Sequence, residues 1–78
     1  MEGYNTMNPK DKVIIHVRFS PDGAVSEIGE RPAGLDAQQW YNRLSSKAGS
    51  SFETLSGGRG FFRLLPEEIT ELKATALQ

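Results

Sequence analysis

The chain has 78 residues, with nine Lys and Arg against ten Asp and Glu, one histidine and no cysteine. That length holds one domain, and the lack of cysteine excludes the disulfides and thiolate zinc sites that staple many small folds, leaving oligomerisation as the remaining staple. A net charge of −1 gives no global field toward nucleic acid or membrane, and no apolar run approaches the roughly 20 residues of a membrane span.

With no charged-then-apolar leader at the start of the chain, these features set the expectation of a cytoplasmic protein. The charge is nevertheless segregated. Arg31, Arg43, Lys47, Arg59 and Arg63 outweigh Asp36 and Glu53 across residues 31–65, so this stretch is +3 while each flank is −2.

Residues 1–11 are polar, with Gly3, Asn5, Asn8 and Pro9, and show no periodicity. They predict a flexible N-terminal arm ahead of one domain over 12–78. The first strand is expected over 12–19, because Val13, Ile14, Ile15 and Val17 are β-branched and polarity alternates after Ile15. Ser20-Pro21-Asp22-Gly23 reads as a tight turn in which Pro21 presets φ, Asp22 takes the next position and Gly23 supplies the left-handed residue. A return strand over 24–30 completes a first hairpin, 12–30.

Arg31-Pro32-Ala33-Gly34 breaks the chain before a helix expected over 36–48. Asp36 suits the N-cap, Gln39 completes a capping box, and Leu35 and Trp40 have the spacing of a hydrophobic staple. Ala37, Trp40, Tyr41, Leu44 and Ala48 form one apolar stripe, and Gly49 is expected as the left-handed residue after the helix.

Strands over 51–56 and 60–65, joined around Gly57-Gly58-Arg59, predict a second hairpin, 51–65. A last helix over 66–77 opens with Pro66 at its first position and Glu67 and Glu68 in its first turn. Its buried stripe is expected to be Ile69, Leu72, Ala76 and Leu77.

The expected fold is therefore α+β, in the order ββαββα. The first and fourth strands are apolar on both faces, which places them at the centre of a four-stranded, mainly antiparallel sheet ordered 2-1-4-3. Val13, Ile15, Val17, Phe19, Val25, Phe62 and Leu64 would face two helices packed on one side. The other face would show Ile14, His16, Arg18, Phe61 and Arg63, with Ile28 beside them if the first hairpin is regular.

That second face is the expected site of function. The leading expectation is a small non-enzymatic interaction or regulatory module acting through protein–protein contacts, as a homodimer joined through this face. The alternative is nucleic-acid or polyanion binding through its basic and aromatic residues. A third reading is an enzyme with an intersubunit site near His16, although His16 has no partner recognisable from spacing.

Arg43, Lys47 and Arg59 are candidate anion or nucleic-acid contacts. Arg43 and Lys47 stand one helical turn apart, a like-charge spacing that an anion would relieve. Arg59 sits in the glycine-rich stretch Gly57-Gly58-Arg59-Gly60, whose backbone could form an anion nest. That stretch joins two strands rather than a strand to a helix, so an ordinary glycine hairpin is the simpler reading. No nucleophile arrangement, metal-ligand spacing or cofactor box is present, and no catalytic residue, metal or cofactor is expected.

Overall fold

The computed structural model describes residues 11–76. They form β1 (Val13–Phe19), β2 (Val25–Ile28), α1 (Ala37–Ala48), a single 3-10 turn (Gly49–Ser51), β3 (Phe52–Leu55), β4 (Arg59–Leu64) and α2 (Pro66–Ala76). The arm expected over 1–11 lies, apart from Asp11, outside the described residues, as does Leu77. The strands make one antiparallel sheet in the order β2-β1-β4-β3. The two strands that are apolar on both faces are central, as strand polarity predicts.

The first hairpin closes as its turn chemistry dictates. Ser20 N donates to Ala24 O at 2.7 Å, Gly23 N donates to Ser20 O at 2.8 Å, and Gly23 has φ +92°. Asp22 Oδ1 accepts from Ala24 N at 3.0 Å, the local side-chain bond that favours Asp in turns.

The pairing of β2 with β1 then departs from a regular hairpin. Val17 opposes Ile28 and Arg18 opposes Glu27, but Phe19 opposes Val25, so Ser26 is an extra, bulged residue. Val25 and Ile28 are three residues apart and would point to opposite faces of a regular strand. The bulge shifts the phase by one residue and turns both toward the helices, where Val25 is buried and Ile28 packs against the core. Ile28 therefore does not join the opposite face, as a regular hairpin would require.

Strand β2 also ends at Ile28 rather than at residue 30. Gly29 O accepts from Trp40 Nε1 at 3.0 Å, and Glu30 has φ +61°, a left-handed value incompatible with an extended strand.

Helix α1 begins with the expected capping box. Asp36 Oδ1 accepts from Gln39 N at 2.7 Å, and Gln39 Oε1 accepts from Asp36 N at 2.9 Å. Its end differs from the expectation. Gly49 has φ −59° and ψ −29°, in the right-handed region, and the chain tightens into the 3-10 turn instead of reversing through a left-handed glycine. Beyond its apolar stripe, α1 guards the outer edge of β2: Gln38 Oε1 accepts from Val25 N at 2.9 Å.

Gly57 (φ +79°) and Gly58 (φ +71°) supply the left-handed backbone of the second hairpin. Arg59, expected in this loop, is instead the first residue of β4 and opposes Leu55 of β3 and Arg18 of β1. Helix α2 starts at Pro66, where a missing N–H has no consequence. Glu68 Oε1 accepts from Leu65 N at 2.7 Å and so satisfies a backbone donor next to that start.

The core lies between the sheet and both helices and comprises Ile15, Val17, Val25, Trp40, Leu44, Phe62, Leu64 and Ile69. Full burial of an aliphatic side chain such as Leu44 contributes roughly 1.5–3 kcal/mol. Phe19, Tyr41 and Phe52 pack edge to face at one end of the core, and Tyr41 and Phe52 meet Phe62 at tilted angles, with ring centroids 4.9–6.2 Å apart. Two cross-links join distant parts of this layer. Lys73 Nζ of α2 pairs with Glu30 Oε1 at 2.8 Å, and Arg43 Nη2 of α1 donates to Thr75 Oγ1 of α2.

Candidate binding surface on the sheet

Two helices clothe one face of the sheet, and among the described residues no element packs on the other. The register arranges this face in rows across the strands. Ile14 opposes Arg63 in the first row. His16, Phe61 and Glu53 form the second, and Glu27, Arg18, Arg59 and Leu55 the third. The five residues expected here (Ile14, His16, Arg18, Phe61 and Arg63) thus share one surface, and the strand pairing adds Glu27, Glu53, Leu55 and Arg59 to it.

The two ends of the face differ in character. At the first, Ile14 is 39% exposed although it is a large aliphatic residue, and the Arg63 guanidinium lies 5.4 Å from the centroid of the Phe61 ring. That distance is within cation–π range. At the other end, Arg18 and Arg59 stand side by side on neighbouring strands. Like charges directly opposite each other in a sheet are destabilising. Arg18 Nε pairs with Glu27 Oε1 at 3.5 Å, with both side chains well exposed (60% and 76%), and Arg59 Nε donates to Ser56 O at 3.3 Å. Glu27 thus pairs with Arg18, while Arg59 is held by a backbone carbonyl.

This cationic end is concave. A depression of about 440 Å³ is lined by His16, Val17, Arg18, Glu27, Ile28, Gly29, Leu55 and Arg59. Its lining comes from all four strands, including both edges. Leu55, 41% exposed, gives it an apolar wall.

Arg43 and Lys47 lie elsewhere, on the helical layer. They line a groove between α1 and α2 that they share with Glu68, Glu71, Leu72 and Thr75. Two carboxylates thus face the two cations. Arg43 is half-buried and its Nε has no hydrogen-bond partner among the described residues. The structure brings Arg59 to the sheet face and leaves Arg43 and Lys47 behind the sheet. The three anion candidates do not form one site.

Sequence reasoning did not assign Glu27, Glu53 or Leu55 to this face. The signal was available for Glu53 and Leu55, which alternate with Phe52 and Thr54 along β3. It was not available for Glu27, whose side depends on the bulge. Among the described residues no group of three or more His, Asp or Glu is placed to hold a metal ion, and no helix is long and apolar enough to cross a membrane. No protein-family model, curated protein or solved structure matches the chain.

Proposed function

We propose that this protein is a small non-enzymatic interaction module whose working surface is the uncovered face of its sheet, and that a second copy of the chain occupies the Ile14–Phe61 end of that face. The supporting observation is the composition of the surface. Three of the chain's five arginines stand there with Phe61, Ile14 and Leu55, and among the described residues no lysine is paired into its rows. Protein interfaces are enriched in arginine and aromatic residues and depleted in lysine, because a guanidinium on a stacked, planar side chain is more easily desolvated than an ammonium.

Sedimentation velocity tests this reading. Wild type is expected to self-associate at high micromolar concentration, and Ile14→Glu, which leaves the core untouched, is expected to sediment as a monomer. A wild type that stays monomeric at that concentration refutes the homodimer.

One observation favours a second reading, polyanion binding on the same face. Arg18, Arg59 and Arg63 together outnumber Glu27 and Glu53, and Phe61 offers a ring for stacking. Binding of a single-stranded oligonucleotide would then weaken steeply with salt. An oligonucleotide affinity unchanged in Arg63→Ala excludes that form of it.

A further inference from the structure

We infer that the concave end of the sheet face is a binding site for a phosphate group, clasped between Arg18 and Arg59. The inference rests on the uncovered face being a binding surface, and it adds a ligand class and a place on that face.

The residues point to an anion first. Arg18 and Arg59 are paired in register on adjacent central strands, where opposing side chains stand about 4.5–5.5 Å apart at Cβ. Both line the same depression of about 440 Å³. Glu27 engages the Nε of Arg18 and the Ser56 carbonyl that of Arg59. Among the described residues these contacts use the Nε of each and leave the Nη groups for a ligand. His16 lines the depression as a further nitrogen-bearing group, and among the described residues Glu27 is the one carboxylate there.

The arrangement favours phosphate over carboxylate. A carboxylate offers its acceptor sites in one plane, and one guanidinium fork takes two of them. A phosphate monoester carries a charge of about −1.5 to −2 and three acceptor oxygens disposed tetrahedrally, so it can take forks from two sides. Two arginines opposite each other on neighbouring strands, both lining one depression, can supply those two forks. Leu55 on the rim would meet an apolar or ring-bearing portion of the molecule carrying the phosphate.

The site also lies away from the surface assigned to self-association. Arg18 lies four residue steps beyond Ile14 along β1, about 13 Å of extended strand. The cationic pair and the exposed aliphatic residue can therefore be altered independently.

Backbone amide and arginine Nε–Hε NMR spectra of the full chain, titrated with inorganic phosphate and with sodium chloride at matched ionic strength, test the inference. Saturable shifts at Arg18 and Arg59 with phosphate, absent with chloride, are expected. Arg18→Gln and Arg59→Gln are each expected to weaken the phosphate affinity about tenfold or more. Glu27→Gln removes the competing carboxylate and is expected to tighten it about twofold to fivefold. Lys47→Gln, in the groove between the helices, is expected to leave it unchanged.

Parallel titrations with a nucleoside monophosphate and a short single-stranded oligonucleotide distinguish the source of the phosphate. Tighter binding of the oligonucleotide at the same two arginines assigns the site to a nucleic-acid backbone, and equal or weaker binding assigns it to a small phosphorylated compound. Three results would overturn the inference: shifts that do not saturate with phosphate, loss of binding in Lys47→Gln rather than Arg59→Gln, or a weaker affinity in Glu27→Gln. Sedimentation of the same samples separates this failure from that of the interaction module, since a wild type that self-associates without binding phosphate loses only the phosphate site.

Discussion

Gly60 of β4 lies directly beneath the ring of Phe52 on β3: a Cβ at position 60 would stand 2.5 Å from Phe52 Cζ and 2.9 Å from the carbonyl oxygen of Glu53. The position is buried and opposes Val17 on one side and Thr54 on the other. The missing side chain leaves the space that the Phe52 ring fills, and the ring joins Phe19, Tyr41 and Phe62 from there.

Gly60→Ala is therefore expected to destabilise the fold by about 1–3 kcal/mol through overpacking, despite the better strand propensity of alanine. Urea denaturation followed by the fluorescence of Trp40, the single and fully buried tryptophan, measures it. Combining Gly60→Ala with Phe52→Leu is expected to be less damaging than the two single effects added together, because the ring is part of the clash. Recovery should be incomplete, since the Glu53 carbonyl is backbone and cannot be trimmed.

Glu30 holds a left-handed φ of +61° while its carboxylate pairs with Lys73 across 2.8 Å. The ion pair is more than a third exposed on both sides, so it contributes at most about 1 kcal/mol. Left-handed backbone disfavours a residue with a Cβ by roughly the same amount. Glu30→Gly is expected to be about as stable as wild type, and Glu30→Ala, which loses the pair and keeps the strain, about 1 kcal/mol less stable than Glu30→Gly. Matched denaturation curves check the ranking, and an alanine variant equal to the glycine variant would remove the strain from the account.

Gln38→Ala leaves the Val25 N–H at the edge of β2 without its side-chain acceptor. A loss of about 1 kcal/mol is expected. Hydrogen exchange locates the effect: the Val25 amide should exchange faster, while amides in the centre of β1 and β4 follow only the global change in stability.

Much of this fold is legible in the sequence because its signals are local. The turn at Pro21-Asp22-Gly23, the Asp36–Gln39 capping box and Pro66 each act within four residues. The β2-β1-β4-β3 order follows from which strands are apolar on both sides. What escaped depends on neighbours distant in sequence. The bulge at Ser26 exists only relative to β1, and it decides where Ile28 and Glu27 point. Arg59 reads as a loop residue until Arg18 and Leu55 flank it. Gly60 looks like part of a glycine-rich turn, yet the Phe52 ring makes it a core position. For the site, alternation alone identified Ile14, His16, Arg18, Phe61 and Arg63, and the cationic pair at its concave end needed the pairing register.

The central claim, that the uncovered sheet face is the working surface, is tested most directly by amide NMR shifts compared between dilute and concentrated protein. Self-association through this face predicts concentration-dependent shifts centred on Ile14, Phe61 and Arg63, abolished in Ile14→Glu. Shifts confined to the helical layer around Arg43, Lys47 and Glu71, or none at any residue of β1 and β4, would contradict it.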